Sequence, residues 1–369
     1  MKVLLLSKVN STHTVRWANA LVERGIKVLV FGLEDLKLKE NPYNPEVIIK
    51  TAGIEEPKQG GFREKVNYLK ALPKLKSTIK EFKPDILHAH FASSYGLIGS
   101  LTGFHPIVIS LWGSDIFDFP RRSSLNALII KHNLKNADEI TSTSITMAKE
   151  GAKYTSREIE VVPFGVDLNI FKPIEVKKNF LKNSIVIGTV KALERKYGID
   201  ILIRAFALLK AKIQSDALEL LIVGDGPERD NLKELSRELK VENSITFTGY
   251  VPHVDLPRYF NMMDIFVLLS RVEESFGVVV VEAMACEKPV VVSNKGGLPE
   301  VVENGVTGFV VPAENPEAAA SALETLIMNK DLRELMGKKG RERVAKLYNW
   351  EENVSKMIEI YKKLLKQNI

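Results

Sequence analysis

A chain of 369 residues is longer than one hydrophobic core usually supports, so we predict two domains. Its composition, 45% hydrophobic and 27% charged, is that of an ordinary globular protein and excludes a disordered or low-complexity chain. The single cysteine, Cys286, excludes an internal disulfide framework. Because no apolar run is long enough for a signal-peptide core or a membrane-spanning helix, we expect a cytoplasmic protein.

Positive charge is concentrated in the first half of the chain. The net charge is +6, to which residues 1–182 contribute +8 and the remainder contributes −2. Eight basic residues fall between Lys58 and Lys83, where they alternate with periodic apolar residues. Such a stretch is a candidate membrane-surface element. A solvated helix broken at Pro73 is at least as good an interpretation.

Short β-rich segments alternate with amphipathic helical patterns along the whole chain. This alternation is typical of a doubly wound parallel sheet and occurs independently in each half. We therefore predict an α/β protein with two Rossmann-like domains that face a central cleft. The predicted strands of the first half cover 2–7, 27–32, 45–51, 85–91, 107–113, 139–144 and 159–165, and those of the second half cover 184–190, 218–226, 244–251, 264–270, 289–294 and 308–311.

The pattern is interrupted between the two halves. The segment GVDLNIFKPIEVKKNFLKNS contains Gly165, Pro173 and a group of lysines. We therefore predict a first domain of residues 1–165, a linker at 166–182 and a second domain of residues 183–349.

The segment GDGPER, at Gly224–Arg229, follows a predicted strand and precedes a helical pattern. A phosphate-binding turn and a tight strand-to-helix turn both fit it. Because the third glycine of a dinucleotide-binding fingerprint is missing, we favour the tight turn.

Ordered motifs along the chain carry a family signature. They are GTVKALERKYGIDILI, LLIVGDGPER, FTGYVPHVDLPRYFNMMDIFVLLS and EESFGVVVVEAMACEKPVVVSNKGGLPEVVENGVTGFVVP in the second half, with HTVRWANALVERG, PDILHAHF and LWGSDI in the first. Together they closely resemble family 4 of the retaining nucleotide-sugar glycosyltransferases, whose two Rossmann-like domains form the type B glycosyltransferase fold. The resemblance implies that residues 350–369 form a closing helix that crosses back onto the first domain.

The resemblance also implies a donor site in the second domain. Lys191 and Lys196 match the positions that grip the donor diphosphate, and Lys191 supplies a point charge where many members have the fork of an arginine. Glu274 would contact the donor sugar, and Glu282 would accept hydrogen bonds from the ribose hydroxyls. On this basis Lys191, Lys196 and Glu274 are the candidate catalytic residues.

The segment ESFGVVVVEAMA, residues 274–285, can be a strand or a helix. Four successive valines favour a strand, but in the family context the glycine before them and the helix formers after them fit a buried helix. We predict the helix, with its free amide groups at the donor diphosphate. The other donor-binding residues that the resemblance implies are Ser275, Phe276, Gly277 and Val278 in this segment, Tyr250 and Val251 at the nucleotide base, and Gly188.

The first domain matches the family less closely. The segment SKVNSTHTVRW lacks the glycines that many members have near the start, and Trp112 stands where many have a histidine. Asp115 is expected to be either a sugar or acceptor contact or a helix cap. The candidate sugar and acceptor contacts are Thr12, His13, His90, Trp112 and Asp115.

No metal requirement is expected. The chain contains no Asp-x-Asp, and its histidines show no metal-ligand spacing apart from His88 and His90 in HAH. We predict that these two side chains point to opposite faces of their strand, which makes joint ligation of one ion difficult. His90, nearer the end of the strand, is expected to line the ligand site, with structural packing as an equal alternative.

The resemblance implies a retaining, metal-independent glycosyltransferase without a cofactor. Its donor would be a nucleotide sugar, UDP-linked in preference to GDP-linked, and its acceptor a glycan or lipid-linked molecule in cell-surface polysaccharide or glycoconjugate synthesis. Basic and apolar features of the first domain, including FDFPRRS, suggest peripheral contact with an anionic membrane. Two alternatives stay open: a nucleotide-sugar epimerase and, remotely, a basic nucleic-acid-binding protein, although we expect no nucleic acid partner.

Overall fold

The computed structural model describes residues 1–37, 41–54, 67–177, 180, 184–213 and 217–367. The chain divides into two compact units, one of Met1–Pro163 with Glu352–Ile369 and the other of Phe164–Glu351. Each unit contains a parallel sheet with helices between its strands, so the predicted α/β class with two Rossmann-like domains is confirmed. The described part of the predicted linker is counted with the second unit.

The first unit is built on a seven-stranded sheet, and all seven predicted strands are present. They are β1 (Lys2–Leu6), β2 (Lys27–Gly32), β3 (Ile48–Thr51), β4 (Ile86–His90), β5 (Ile107–Leu111), β6 (Glu139–Ser142) and β7 (Glu160–Val161). Their order is β3-β2-β1-β4-β5-β6-β7. The register pairs Leu4 with Leu29 on one side and Leu87 on the other, which joins the apolar side chains of the central strands in one core.

Helices of the first unit connect these strands. Within the described residues they are α1 (Thr12–Val22), α2 (Leu72–Phe82), α3 (Ser94–Ser100), α4 (Ser114–Phe117), α5 (Ser124–Lys135) and α6 (Ile145–Gly151). In α1, Trp17 and Leu21 are buried one turn apart, as their spacing predicts.

Helix α2 contains most of the described part of the basic stretch, Lys70 lies in the 3₁₀ helix before it, and residues 58–66 lie outside the described residues. Pro73 lies in the first turn of α2, where proline is tolerated, and α2 directly follows a 3₁₀ helix at Asn67–Ala71, so the helical segment changes type next to Pro73. Leu75 is buried and Ile79 packs against the core of the first unit. The apolar side of α2 is therefore used in folding, as in the solvated-helix interpretation.

The second unit is built on a six-stranded parallel sheet in the order β10-β9-β8-β11-β12-β13. All six strands were predicted, and their bounds are β8 (Ile185–Val190), β9 (Leu218–Val223), β10 (Ile245–Phe247), β11 (Ile265–Leu268), β12 (Val290–Ser293) and β13 (Gly308–Val311). The described helices are α7 (Ile199–Ile213), α8 (Arg229–Glu238), α9 (Leu256–Met262), α10 (Val278–Ala285), α11 (Leu298–Val301), α12 (Pro316–Met328) and α13 (Lys330–Leu347).

The last helix, α14 (Trp350–Gln367), belongs to the first unit from Glu352 onward, which confirms that it crosses back. Tyr361 of this helix is fully buried, and Lys356 forms an ion pair of 2.7 Å with Glu160 of β7. Among the described residues, no helix combines the length and the apolar character needed to span a lipid bilayer.

Candidate functional site

The candidate donor site of the second unit begins where two neighbouring strands end. Lys191 follows β8 directly, and Glu274 lies in the loop after β11, which pairs with β8. The loops after adjacent parallel strands meet at one edge of a sheet, so the two side chains come together. Lys191 Nζ lies 2.9 Å from Glu274 Oε1, and the Ser270 hydroxyl donates to the same oxygen at 2.6 Å. Glu274 is thus held by two donors.

Both predicted phosphate-binding lysines contact one aromatic ring. The amino groups of Lys191 and Lys196 lie 4.2 Å and 4.9 Å from the centre of the Tyr197 ring. Lys196 also forms an ion pair of 2.8 Å with Glu194. Burial works against the charged form of Lys196, but its hydrogen bond to Glu194 and its electrostatic interactions with Tyr197 and Glu194 outweigh this and raise its pKa. The structure therefore brings two cations together at this edge.

Arg271, which the sequence prediction did not include, joins the two loops that carry these residues. Its guanidinium donates to both carboxylate oxygens of Asp200 at 2.7 Å and to the Arg195 carbonyl at 2.6 Å. Its backbone N–H donates to the Lys196 carbonyl at 2.8 Å. Burial alone would raise the pKa of Asp200, but the hydrogen bonds and charge of Arg271 lower it. The two parallel hydrogen bonds between Arg271 and Asp200 hold the turn that contains Lys196 against the loop that contains Glu274.

Residues 278–285 form the helix α10, so the helix prediction is confirmed. Gly277 caps its N-terminus with φ of +91°, and a Cβ there would lie 2.7 Å from the Leu298 side chain. Within the described part of the chain, the amides of Val278 and Val279 donate no hydrogen bond. This end of α10 therefore offers N–H groups and a positive helix dipole to an anion.

The two residues before Gly277 have different environments. The Phe276 side chain is fully buried and its ring centre lies 5.1 Å from that of Tyr348, so only its backbone is left to face a donor. Ser275 is partly exposed. The predicted loop contacts at these two positions stay predictions.

Glu282 lies inside α10 with only 1% of its side chain exposed. Its Oε1 is 2.7 Å from Nε2 of His253. Its other oxygen, Oε2, has no hydrogen-bond partner within the described residues. A buried carboxylate with an unused oxygen is uncommon and marks a position with spare capacity for a ligand.

The remaining donor-site candidates differ in exposure. Tyr250 is 78% exposed and Val251 is partly buried, which suits contact through the backbone. Gly188 lies inside β8, and the space that a Cβ would need is filled by the Met263 side chain. Packing therefore accounts for Gly188 without a ligand.

The GDGPER turn packs against the loop after β8. A Cβ on Gly226 would lie 2.5 Å from the Leu193 carbonyl oxygen, which also accepts a hydrogen bond of 2.9 Å from the Glu228 amide. Pro227 lies in the turn before α8, which begins at Arg229. These contacts are those of the tight strand-to-helix turn.

In the first unit, His88 and His90 lie side by side. Their ring centres are 4.5 Å apart, so the prediction of opposite faces is wrong, because residues two apart on a strand share a face. His88 bonds the Tyr361 hydroxyl through Nδ1 and the Ser110 hydroxyl through Nε2, each at 2.6 Å. Burial lowers the pKa of His88 to about 3. The pKa of His90 is also far below its usual value, through burial and the nearby charges of His88 and His13.

His90, Trp112 and His13 come together in one aromatic cluster. The His90 ring stacks on Trp112 at 4.0 Å, and His13 approaches the edge of Trp112 at 6.1 Å. Nδ1 of His90 lies 2.9 Å from the buried Ser7 hydroxyl. Thr12 is exposed as the first residue of α1. The predicted residues are thus neighbours, and most of the cluster is buried.

Asp115 is buried and tied to the backbone. Its carboxylate accepts hydrogen bonds from the amides of Ala92 and Gly113 at 2.7 Å and of Trp112 at 3.2 Å. Burial raises its pKa in spite of these hydrogen bonds. These amides belong to the backbone after β4 and before α4, and none of the contacts involves an open surface. The prediction of a sugar or acceptor contact or a helix cap at Asp115 stays a prediction.

The FDFPRRS segment uses its apolar residues in the core. Phe117 and Phe119 are buried, and Arg121 lies 3.0 Å from Glu150 in an ion pair. The apolar part of the suggested membrane contact at this segment is therefore not available.

Metal-ligating side chains are dispersed. In the ranges that the structure describes, no three His, Cys, Asp or Glu side chains are grouped closely enough to hold a metal ion. The expectation of metal independence stays a prediction.

Comparison with solved structures identifies the fold. Sucrose-phosphate synthase from Thermosynechococcus elongatus superposes with a TM-score of 0.84 at 22% identity over 100% of both chains. HepE from Anabaena, in complex with UDP and glucose, superposes with a TM-score of 0.80 at 23% identity over 99% of this chain and 100% of that one. At this identity the likeness shows the fold alone, which is the type B glycosyltransferase fold.

Sequence comparison then gives the family. The family models described as "Glycosyl transferases group 1" and "Glycosyl transferase 4-like" match residues 171–343 and 2–144. N-acetyl-alpha-D-glucosaminyl L-malate synthase of Bacillus anthracis is 28% identical over 77% of this chain and 76% of its own length. The chain belongs to the group 1 glycosyltransferases and is an enzyme of that family.

A mycobacterial relative matches a shorter range. The GDP-mannose-dependent alpha-(1-6)-phosphatidylinositol monomannoside mannosyltransferase of Mycobacterium tuberculosis (strain H37Rv) is 32% identical over 54% of this chain. The match spans 55% of that protein. The names of these relatives differ in donor and acceptor, so they leave both open for this chain.

Proposed function

We propose that the chain is a retaining glycosyltransferase that takes its sugar from a nucleotide diphosphate sugar without a metal ion. The observation that carries this proposal is the grouping of Lys191, Lys196 and Glu274 with the amide end of α10 in the second unit. Two cations and a helix N-terminus provide the positive charge that a diphosphate leaving group needs. Glu274 provides an acceptor for the hydroxyls of the donor sugar.

The donor that we propose is UDP-linked, with a GDP-linked sugar as the second candidate. A solved structure of the same fold holds UDP and glucose, whereas a sequence relative is named as GDP-mannose-dependent. These two names support a nucleotide diphosphate in either case and differ only in the base.

In the proposed reaction the acceptor oxygen attacks the anomeric carbon on the face from which the diphosphate leaves. The bond from this carbon to the phosphate oxygen breaks, the bond to the acceptor oxygen forms, and the acceptor proton passes to the leaving phosphate oxygen. Glu274 is paired with Lys191 at 2.9 Å, which suits a sugar-binding group better than a nucleophile. A glycosyl adduct trapped on Glu274 would contradict this pathway.

The proposed acceptor is a glycan or lipid-linked molecule met at the inner, anionic face of a membrane. Support comes from the charge of +8 on residues 1–182 and from a hollow of about 420 Å³ on α14. The residues that line this hollow are Glu359, Lys362, Lys363, Lys366 and Gln367. An electrostatic contact of this kind should release the protein from washed membranes at high salt, and absence from that fraction would refute it.

The donor proposal is tested by thermal unfolding with UDP, GDP and their sugars, with and without EDTA. A nucleotide at 100 times its Kd should stabilise the protein by about 2.7 kcal/mol, because it binds only the folded state. The shift should persist in EDTA and should be lost in Lys191→Ala, but it should be kept in Lys338→Ala, which removes an exposed lysine from the same unit.

No shift with any UDP or GDP compound would overturn the proposal. Retention is checked separately by NMR of the first product formed, since an α-linked donor must give an α-linked product.

A further inference from the structure

Arg271 anchors the turn that carries Lys196 to the loop that carries Glu274. Its guanidinium donates to both carboxylate oxygens of Asp200 at 2.7 Å, and Nη1 also donates to the Arg195 carbonyl at 2.6 Å. Its backbone N–H donates to the Lys196 carbonyl at 2.8 Å. The chain before, at and after Lys196 is therefore bonded to one residue of the neighbouring loop.

The backbones of the same two segments also meet at Gly198. This glycine has φ of +66°, and a Cβ on it would clash with the Leu269 carbonyl oxygen at the end of β11. A larger residue would push the turn away from the loop after β11. The close approach of the two segments therefore depends on the backbone as well as on the Arg271 side chain.

Lys196 needs this anchorage because its own side chain is weakly held. The Lys196 side chain is 45% exposed and that of its ion-pair partner, Glu194, is 42% exposed. An ion pair between two such exposed groups contributes little free energy, and a lysine side chain has a long flexible stem. The space that the Lys196 ammonium occupies is therefore set largely by the position of its backbone.

The contacts of Arg271 suit a structural partner of the turn better than a ligand-binding group. Its side chain is 18% exposed, and its charge is balanced by Asp200 at 2.7 Å. Its Nε faces Glu314 at 3.8 Å. A phosphate would have to displace these acceptors to reach the guanidinium. Arg271 can influence a diphosphate without touching it, through the turn that it holds.

We propose that Arg271 is a positioning residue for the donor diphosphate, which holds Lys196 where the second phosphate of a nucleoside diphosphate binds. This inference rests on the proposed function, because it needs a nucleotide diphosphate in the second unit. A hydrogen bond formed at about 2.9 Å is lost at about 3.6 Å, so a small displacement of the turn is enough to remove the contact. Loss of Arg271 should therefore weaken the binding of a diphosphate more than that of a monophosphate.

The test is isothermal titration of the full chain with UDP and UMP, and with GDP and GMP. The wild type should bind the diphosphate about 10 to 100 times more tightly, the fold-change expected for one hydrogen bond between charged groups. Arg271→Ala should reduce this ratio by about tenfold. Arg271→Lys keeps the charge but cannot form the two parallel bonds to Asp200, so it should reduce the ratio by about threefold or more.

Two further variants show how Arg271 acts. Lys196→Ala should also reduce the ratio, and adding Arg271→Ala to it should cause no further loss, because both changes remove the same contact. Asp200→Ala removes the acceptor that orients the guanidinium and should reduce the ratio. If Arg271 bound phosphate directly, Asp200→Ala would free the guanidinium and raise the ratio instead.

Lys212→Ala is the matched control, since it removes a cation from the same helix, α7, where Lys212 forms an exposed ion pair with Glu324. Its ratio should equal that of the wild type. Thermal unfolding of each variant identifies loss of folding, and Arg271→Lys keeps the test decisive if Arg271→Ala does not fold.

Several results would overturn the inference alone: a wild-type ratio in the Arg271 variants or in Lys196→Ala, a further loss in the double variant, or a higher ratio in Asp200→Ala. Equal binding of monophosphate and diphosphate by the wild type would do the same. Wild type that binds no nucleotide would overturn the proposed function and this inference with it.

Discussion

The buried titratable side chains Asp115 and His88 of the first unit are used differently from Glu282 of the second unit. In the first unit, Asp115 accepts three backbone amides and His88 is bonded through both ring nitrogens. In the second unit, Glu282 is equally buried but keeps an unbonded oxygen. Asp115 and Glu282 both lie in helices that follow parallel strands, whereas His88 lies within β4. Location near a strand end therefore does not by itself identify a binding residue, and the unbonded oxygen of Glu282 makes it the stronger candidate of the two carboxylates.

The largest effect that would test this comparison is expected at Asp115. Replacement by Ala leaves three buried amides without an acceptor and should reduce the free energy of unfolding by about 3–5 kcal/mol. Urea unfolding can be followed by fluorescence, since Trp17 and Trp112 both lie in the first unit. The control is Asp118→Ala, an exposed carboxylate in the same segment. A stable Asp115→Ala protein that has lost sugar binding would show that Asp115 is a ligand contact instead.

A smaller effect is expected from pH. The folded first unit keeps His88 neutral, with its pKa lowered from 6.5 to about 3, whereas the unfolded chain takes up a proton. Stability should therefore fall as the pH drops from about 6.5 towards about 3, by about 1.4 kcal/mol per pH unit and so by about 2 kcal/mol at pH 5. Urea unfolding at pH 7.5, 6 and 5 measures this.

Two variants separate His88 from the other histidines in that measurement. His88→Gln keeps hydrogen-bonding groups but does not titrate, so it should reduce the pH dependence, whereas His132→Gln, at an exposed position, should not. If the free energy of unfolding of His88→Gln depends on pH as that of the wild type does, the folded protein does not favour the neutral form of His88.

The smallest effect is expected at Glu274 in the second unit and concerns the binding of free nucleotide. Glu274 should compete with the phosphates of a free nucleotide for Lys191. Lys191 Nζ and Glu274 Oε1 lie 2.9 Å apart, and both side chains are largely buried. Glu274→Gln should therefore tighten the binding of UDP or GDP by about 3- to 10-fold, whereas the intact nucleotide sugar should not gain. Glu194→Gln, which frees the more exposed Lys196, should give a smaller gain. Weaker binding of the free nucleotide by Glu274→Gln would contradict this competition.

The sequence was sufficient to predict the strands of each sheet and the return of the last helix to the first unit. All thirteen strands follow from alternating apolar segments, because strands of parallel sheets are buried on both faces and read as short apolar runs. Helix α10 is different, since its four valines favour a strand and only the resemblance to a family indicated a helix. There, packing of a buried helix overrides the local preference of valine.

Contacts between loops that are far apart in the sequence could not be predicted from sequence patterns. The Arg271–Asp200 fork joins residues 71 apart, and the His253–Glu282 pair joins residues 29 apart. Neither spacing has a period or a motif, so only the fold shows them. The relation of His88 to His90 could have been predicted correctly, because it depends only on the two-residue repeat of a strand.

The return of α14 to the first unit has a consequence during synthesis. The hydrogen bond between Tyr361 and His88 joins residues 273 apart, with the whole second unit encoded between them. At the usual rates of translation, about 5–20 residues per second, Tyr361 leaves the ribosome about 14–55 s after His88. The second unit can complete its sheet in that interval, so we expect the unit that starts later in the chain to finish folding first.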